Sequence, residues 1–295
     1  MDISVCICTY RRPMVADCIE SILVQEGVDP SSLEIVVADD DPERSACSIV
    51  QAAAEKAKIA IRYVCAGSRN VAACRNACLD AARHDWIAFI DDDEIAERDW
   101  LAELIRARTE FDCEVVKGYV RAKYPPMTPG WVLAGDPFTR DYGPTGRRLP
   151  TCAAGNVLFS RRFATEKKLR FDPALGRSGG EDVVFFDAMA RAGARIVSCA
   201  SAIVNEIVPL DRTASAYLRR RFMQSGSIHR QRVVGRQPAL ARFALGLKSY
   251  LFVVVCAAHP LVSPMLPGPG FRMFQRFWTH VGIIRAMLGA GDGAF

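Results

Sequence analysis

Five mostly apolar residues, Trp86-Ile87-Ala88-Phe89-Ile90, run directly into four consecutive acids, Asp91-Asp92-Asp93-Glu94. The apolar run reads as a strand covered on both faces, as parallel strands in α/β proteins are. The acids then fall at its carboxyl end, the edge of an open parallel sheet where ligands bind. Four neighbouring carboxylates repel one another and require a counter-charge. A hard divalent cation with oxygen ligands supplies one, and phosphate oxygens can complete its shell. A solvated acidic turn is the competing reading of any acidic run. The position directly after a buried strand favours the cation.

The same arrangement occurs earlier in the chain. Residues 3–10 read as a first strand ending in Arg11-Arg12-Pro13, and Pro13 suits the first turn of a helix. Val15, Cys18, Ile19, Ile22 and Leu23 then recur at helical spacing. Glu34-Ile35-Val36-Val37-Ala38 is a second strand, ending in Asp39-Asp40-Asp41-Pro42. A turn and a helix cap account for one such aspartate but not for three. Residues 43–57 read as helix, 59–65 as strand and 70–83 as helix. The alternation through Ile90 predicts an α/β fold with a doubly wound, mostly parallel sheet and right-handed crossovers. On the third helix, Arg75 and Asn76 lie among small residues that allow close approach to the sheet. Arg75 can meet a carboxylate or phosphate as a fork; a surface arginine is the alternative.

Beyond Glu94 the pattern changes. Residues 97–108 suit a helix and 114–120 a strand, while 122–150 are rich in Pro, Gly and aromatics. A loop that long inside a domain is functional or mobile. Trp131 and Tyr142 in it can stack on a sugar face or pin the loop to a core. Residues 151–159 return as strand, where Gly155 permits close backbone approach beside Asn156. Glycines at 176, 179 and 180 precede Glu181-Asp182 and an apolar helix. Acids in a first helical turn complement the dipole, which also favours the anionic form a general base requires.

A length of 295 residues accommodates one large α/β domain with an appendage. The eleven cysteines are scattered and form no paired CxxC units, which excludes a usual structural zinc site. The first residues carry no basic n-region or signal core, so buried thiols in a reducing cytoplasm are expected. Charge is uneven: residues 212–295 hold twelve Lys or Arg and one acid, Asp292. Such a tail suits an anionic membrane surface or nucleic acid. Arg219-Arg220-Arg221, Arg230, Arg232 and Arg236 fall on one expected helix. Residues 249–266 are apolar but interrupted by Pro260 and Pro264, an interfacial or re-entrant segment more than a clean span of ~20 residues. Pro264, Pro267 and Pro269 separate it from the next segment. There Phe271, Phe274, Trp278, Val281, Ile284 and Leu288 form a stripe that suits a helix in the headgroup region, with a core helix as the alternative. The apolar run favours lipid over nucleic acid. No GxGxxG follows an early strand and no GxxxxGK[ST] occurs, which sets aside dinucleotide oxidoreductases and P-loop NTPases.

Residues 1 to about 210 resemble the nucleotide-sugar-dependent glycosyltransferases of family 2, with the GT-A fold. The likeness rests on residues 5–12, Val36-Val37-Ala38-Asp39-Asp40, residues 72–77, Phe89-Ile90-Asp91-Asp92-Asp93, Gly155-Asn156 and Gly180-Glu181-Asp182. Within the family, the whole chain is most similar to exopolysaccharide transferases of the succinoglycan type. The resemblance implies a catalytic domain over 1–211, with a nucleotide-binding half about 1–95 and an acceptor half about 96–211, and a basic, membrane-associated helical extension over 212–295. It implies that Thr9, Tyr10 and Arg12 line the nucleotide pocket and that Asp39 accepts from the uracil ring, with Asp40 as the adjacent candidate. Asp91 lies near the ribose and Asp93 on Mg²⁺ or Mn²⁺ bridging the diphosphate; Asp91 shares that cation, and Asp92 belongs to the same cofactor-binding turn. Arg75 helps hold the nucleotide, Asp182 is the catalytic base, and Glu181 shapes the acceptor site. The expected activity is inverting transfer of one sugar, best UDP-glucose, to a lipid-linked glycan, at the cytoplasmic face of the plasma membrane in bacterial exopolysaccharide synthesis. The Q-x-x-R-W element of processive polymerases is absent from the tail. A nucleotidyltransferase would use a similar fold but wants a glycine-rich loop after the first strand, where Arg11-Arg12-Pro13 has no glycine. A membrane-bound scaffold with a degenerate transferase domain is the non-enzymatic alternative.

Overall fold

β1 (Ile3–Thr9) and β2 (Leu33–Asp39) are buried along nearly their whole length. Their side chains alternate between two cores: Ile3, Val5 and Ile7 enter one, Cys6, Val36 and Ala38 the other. A strand with two dry faces has no solvent side to mark with polar residues, so both read as apolar runs. The computed structural model describes residues 1–234, 238–257 and 269–288.

α1 (Val15–Leu23), α2 (Cys47–Lys56), β3 (Ala60–Cys65), α3 (Val71–Ala81) and β4 (Trp86–Asp91) complete the expected alternation. β1 pairs in parallel with both β2 and β4, and β2 with β3. α1 contributes Val15, Cys18, Ile19 and Ile22 to the first core. α3 lays Ala72, Cys74 and Cys78 on the opposite face.

The remainder follows a different plan. β5 (Glu94–Ala96), α4 (Trp100–Phe111), β6 (Val115–Lys123), α5 (Gly130–Gly135), β7 (Val157–Ser160), α6 (Arg161–Glu166), α7 (Glu181–Arg191) and β8 (Ile196–Ile207) come next. Among the described residues one sheet has the order β3-β2-β1-β4-β7-β6-β8-β5. β4 pairs with β7, β6 with β7, and β5 with β8, all antiparallel. The sheet is therefore mixed, not mostly parallel as expected. Helices also separate β5 from β6 and β7 from β8, but the strands they join are not neighbours in the sheet, so the alternation past β4 does not extend the parallel pairing. The strand expected over 151–159 is shorter, because residues 151–156 run irregularly past the carboxyl ends of the central strands.

The chain divides into two compact units, 1–122 with 138–207, and 123–137 with 208–295. This departs from a single cut near residue 211, because 123–137 belongs with the C-terminal residues. In that second unit α8 (Ser215–Val234), α9 (Ala239–Val255) and α10 (Pro269–Met287) pack together. α8 and α10 meet backbone to backbone: a Cβ on Gly226 would lie 2.1 Å from the Thr279 carbonyl, and one on Gly282 2.0 Å from that of Met223. Phe271, Phe274, Phe277 and Ile283 are buried there. Trp131 stacks against Phe271 and Phe274, each at 5.6 Å between centroids. Trp131 thus pins its loop inside this unit. Of the stripe expected on α10, Phe271 and Phe274 face this core, while Trp278, Val281 and Ile284 are half-buried and Leu288 is exposed. Among the described residues no helix is long and apolar enough to cross a membrane. Arg236, Pro260, Pro264, Pro267 and the 258–266 part of the apolar run lie outside the described residues.

Candidate active site

The strand register assembles the acids. Thr9 on β1 lies opposite Asp39 on β2, and Cys8 opposite Asp91 on β4. Their carboxyl ends are one edge of the parallel half, where ligands of α/β sheets bind.

Asp39 and Asp40 differ sharply there. Asp39 is fully buried; its Oδ1 accepts from the Asp41 amide at 2.9 Å, and its Oδ2 from the Ala46 amide at 2.8 Å and the Tyr63 hydroxyl at 3.0 Å. It organises the loop from β2 to α2. Asp40 accepts only through Oδ1 among the described residues, from the Ser68 amide at 3.0 Å and hydroxyl at 2.8 Å. Its own amide donates to the Thr9 carbonyl at 2.9 Å, which joins the two strand ends. Arg12 Nη1 donates to Asp92 Oδ1 at 2.7 Å and to Asp93 Oδ2 at 2.9 Å, while the Thr9 hydroxyl donates to Asp92 Oδ2 at 2.8 Å. Burial pushes the Asp92 carboxyl up to about 6, with Arg12 opposing. Tyr10 is 40% exposed beside them, its ring 5.5 Å from the Arg11 guanidinium.

A second group forms between α3, β4 and α7. Arg75 Nη1 donates to Glu181 Oε1, and Nη2 lies 3.9 Å from Asp91 Oδ1. Burial works against the guanidinium charge, but Asp182, Glu181 and Asp91 together more than hold it. Burial likewise raises the Glu181 carboxyl, against the pull of Arg75. Asn76, next on the helix, exchanges two hydrogen bonds with the Phe171 backbone and so fixes α3 to the segment that leads into α7. Asp182 Oδ1 accepts from the Val183 amide at 2.7 Å and Oδ2 from the Ala154 amide at 3.1 Å. The adjoining Gly155 lies against the other acid: a Cβ there would sit 2.5 Å from Asp91 Oδ2. Any side chain at 155 would displace Asp91. Ala154 thus holds Asp182 by a hydrogen bond, and the missing side chain of Gly155 leaves room for Asp91 beside it.

Beneath Asp91 is a layer of buried charge that the sequence did not announce. Glu94, fully buried, accepts the Asp91 amide on Oε2 at 3.0 Å and pairs through Oε1 with Arg140 at 3.1 Å. Arg140 also pairs with Glu206 at 2.9 Å. Burial, reinforced by Asp91, pushes the Glu94 carboxyl up to about 8. Glu94 is thus a support for the turn. Lys117, also fully buried, donates its ammonium to the carbonyls of Gly155 and Asn156. Burial, with Arg140 beside it, lowers that ammonium to about 8. Tyr142 covers it, ring centroid 5.2 Å away. Asn156 holds a left-handed φ of +49° and is saturated: Nδ2 donates to the Tyr119 and Ala202 carbonyls, and Oδ1 accepts from the Trp100 indole at 2.7 Å. A non-glycine residue in that conformation persists only when its surroundings over-determine it.

The family model "Glycosyl transferase family 2" matches residues 4–166. The chain belongs to glycosyltransferase family 2. It is similar to the succinoglycan biosynthesis protein ExoM of Rhizobium meliloti, with 33% identity over 304 residues, 98% of this chain and 94% of that protein. In fold it is similar to the mannosyltransferase PcManGT of Pyrobaculum calidifontis, solved with GDP-Man and Mn²⁺, at a TM-score of 0.66 and 18% identity over 98% of this chain and 88% of that one. Residues 1–349 of S. aureus TarS, solved with UDP, superpose at a TM-score of 0.55 and 14% identity, covering 98% and 92% of the two chains. The mixed sheet with flanking helices is consistent with the GT-A fold of these proteins.

The family match ends before Glu181 and Asp182, so their place in the site comes from the geometry alone. Asp91, with its side chain 41% exposed, is the most open carboxylate of the acidic turn, whereas Asp92 and Asp93 are nearly covered. Among the described residues no three His, Cys, Asp or Glu side chains form a metal cage. A site of one or two carboxylates completed by substrate phosphates is the usual way Mg²⁺ is held; Asp91 is the open carboxylate of the turn, while Asp93 is engaged by Arg12. Arg140, Glu206 and Lys117 are the functional supports that sequence reasoning missed. A lysine inside the apolar run Val115-Val116-Lys117 was the available signal.

Proposed function

We propose that this glycosyltransferase moves a single sugar from a UDP-sugar, best UDP-glucose, to a hydroxyl of a lipid-linked glycan, with inversion, in exopolysaccharide synthesis. The observation that carries the reading is that consecutive residues lie against both acids, the Ala154 amide bonded to Asp182 and the Cβ-less Gly155 beside Asp91, with Arg75 paired to Asp91. Asp182 takes the proton of the acceptor hydroxyl as it attacks, since a neutral alcohol is a poor nucleophile. Its two amide contacts aim the carboxylate in advance. Arg75 faces the departing diphosphate and keeps Glu181 folded back from the acceptor path. Attack from the side opposite the diphosphate gives one displacement and so inversion.

Asp91 and Asp93 would hold Mg²⁺ or Mn²⁺, which when bound neutralises charge developing on the diphosphate. Arg12 steadies Asp92 and Asp93, and its planar guanidinium is the group suited to meet a phosphate as a fork. For the uracil we assign Asp40 in preference to Asp39, because both oxygens of Asp39 already accept from the protein. Single transfer follows from the missing Q-x-x-R-W element, and the polysaccharide context from likeness to ExoM.

A donor screen tests the reading. Purified protein with Mn²⁺ or Mg²⁺ should release UDP from UDP-glucose in the presence of a glycan acceptor, with an inverted linkage by NMR. Turnover of a nucleoside triphosphate and sugar phosphate, without UDP release, would make it a nucleotidyltransferase. For the base pocket, Asp40→Asn should weaken the preference for uridine over guanosine diphosphate without unfolding the protein. Asp39→Asn should lower the melting temperature.

A further inference from the structure

α9 is apolar on both sides. Its inner side meets α10, with buried Ser249 hydrogen-bonded to His280 and Phe252 packed on the same ring. Its outer side carries Leu240, Phe243, Leu247, Tyr250, Leu251 and Val254, all exposed; Leu240 is 79% and Phe243 67% accessible. A helix apolar all round is ordinarily buried, and a contiguous exposed patch of this kind marks a surface that meets something other than water. The patch continues into an apolar groove where Phe243, Leu247 and Tyr250 face Ile284, Met287 and Leu288 of the last turn of α10 and beyond.

Charge says what covers it. Residues 212–291 contain no acid, and Arg219, Arg220, Lys248, Arg272, Arg276 and Arg285 of the same unit are exposed. A second copy would bring the same cationic surface against the first. An anionic bilayer brings the opposite charge together with an apolar interior, and Tyr250 has the amphipathic ring favoured at that boundary. Apolar burial and a basic patch are also the two signals that stable attachment needs.

We propose that the outer face of α9 lies in the headgroup–acyl boundary of an anionic membrane, with the exposed basic residues of its unit holding the lipid charge. This face lies on the helix that carries the first residues of the interfacial segment expected from sequence over 249–266. The proposal does not depend on the transferase chemistry and can fail while that stands.

Flotation of the full chain with vesicles tests it. Wild type should rise with phosphatidylglycerol/phosphatidylcholine vesicles, not with phosphatidylcholine alone, and the bound fraction should fall as salt is raised. The combined variant Phe243→Ser, Leu247→Ser, Tyr250→Ser, Val254→Ser should lose about tenfold or more of that binding, with an unchanged circular-dichroism melt. Should this variant misfold, Tyr250→Trp keeps the face intact, and its emission relative to wild type should shift to the blue on adding the anionic vesicles. Wild-type protein that stays unbound, a folded quadruple variant that floats as well as wild type, or an unshifted emission from the Tyr250→Trp variant overturns the proposal. So does a wild-type dimer in sedimentation that the quadruple variant dissolves, which would give the face to a second copy.

Discussion

The strand-tip edge and the outer face of α9 break the same rule in opposite directions. At the edge, Asp39, Asp92, Asp93, Glu94, Arg75 and Glu181 are buried ionisable groups. On α9, large apolar side chains stand in the open. Exposed single hydrophobes and surface charges are ordinary, whereas buried charge and contiguous exposed apolar surface are informative. The edge tolerates its charge because nearly every group has a partner, so it should be stiff and costly to disturb. Among the described residues the outer face of α9 meets only the end of α10, along the groove at Phe243, Leu247 and Tyr250, so changing it should cost the fold little.

That contrast can be broken by mutation. Arg75→Ala should have the largest effect, because it strips the cation from Glu181 and Asp91 in a buried setting. A loss of about 3–5 kcal/mol is expected, read by urea unfolding, together with loss of UDP binding by calorimetry. Arg140→Ala should cost less, about 2 kcal/mol, since its side chain is 27% exposed and solvent screens part of the pair. Adding Glu94→Gln to that variant should restore part of the loss; no restoration would mean the arginine acts through packing.

Lys117 sharpens the comparison through pH. Its ammonium is lowered from 10.5 to about 8 by burial and Arg140. Between those values the unfolded chain holds the proton and the folded one does not, so stability rises with pH through that window. Relative to Lys117→Met, wild type should gain stability from about pH 8 upward, by at most about 1.4 kcal/mol per unit. A flat difference would mean the amine is solvated. Smallest of all, the quadruple serine variant of α9 should change unfolding by no more than about 0.5 kcal/mol.

Much of the parallel half was legible because period and position coincide there. Strands buried on both faces read as apolar runs, and the acids following β2 and β4 fall where such sheets bind ligands. The antiparallel half was harder, since β5, α4, β6 and α5 separate β4 from β7 in the chain and the order of helices and strands does not say that these two pair. Glu94 could be named but not placed, because its partner Arg140 is 46 residues away in the chain. The stripe on α10 looked the same as a lipid-facing stripe would. Whether an amphipathic helix turns its apolar side to protein or to lipid depends on what packs on it, here α8 and Trp131. In α9, residues 249–255 read as part of an interfacial segment, but a helix without a continuous polar side does not say which side remains bare.

The most direct test compares binding and turnover in Asp182→Asn. If Asp182 receives the acceptor proton while Asp91, Arg75 and Asp40 hold the donor, the variant should bind UDP-sugar within a few-fold of wild type and transfer at least about 10²-fold more slowly. Donor binding and transfer falling together would show that Asp182 builds the nucleotide pocket, and unchanged transfer would remove it from the chemistry altogether.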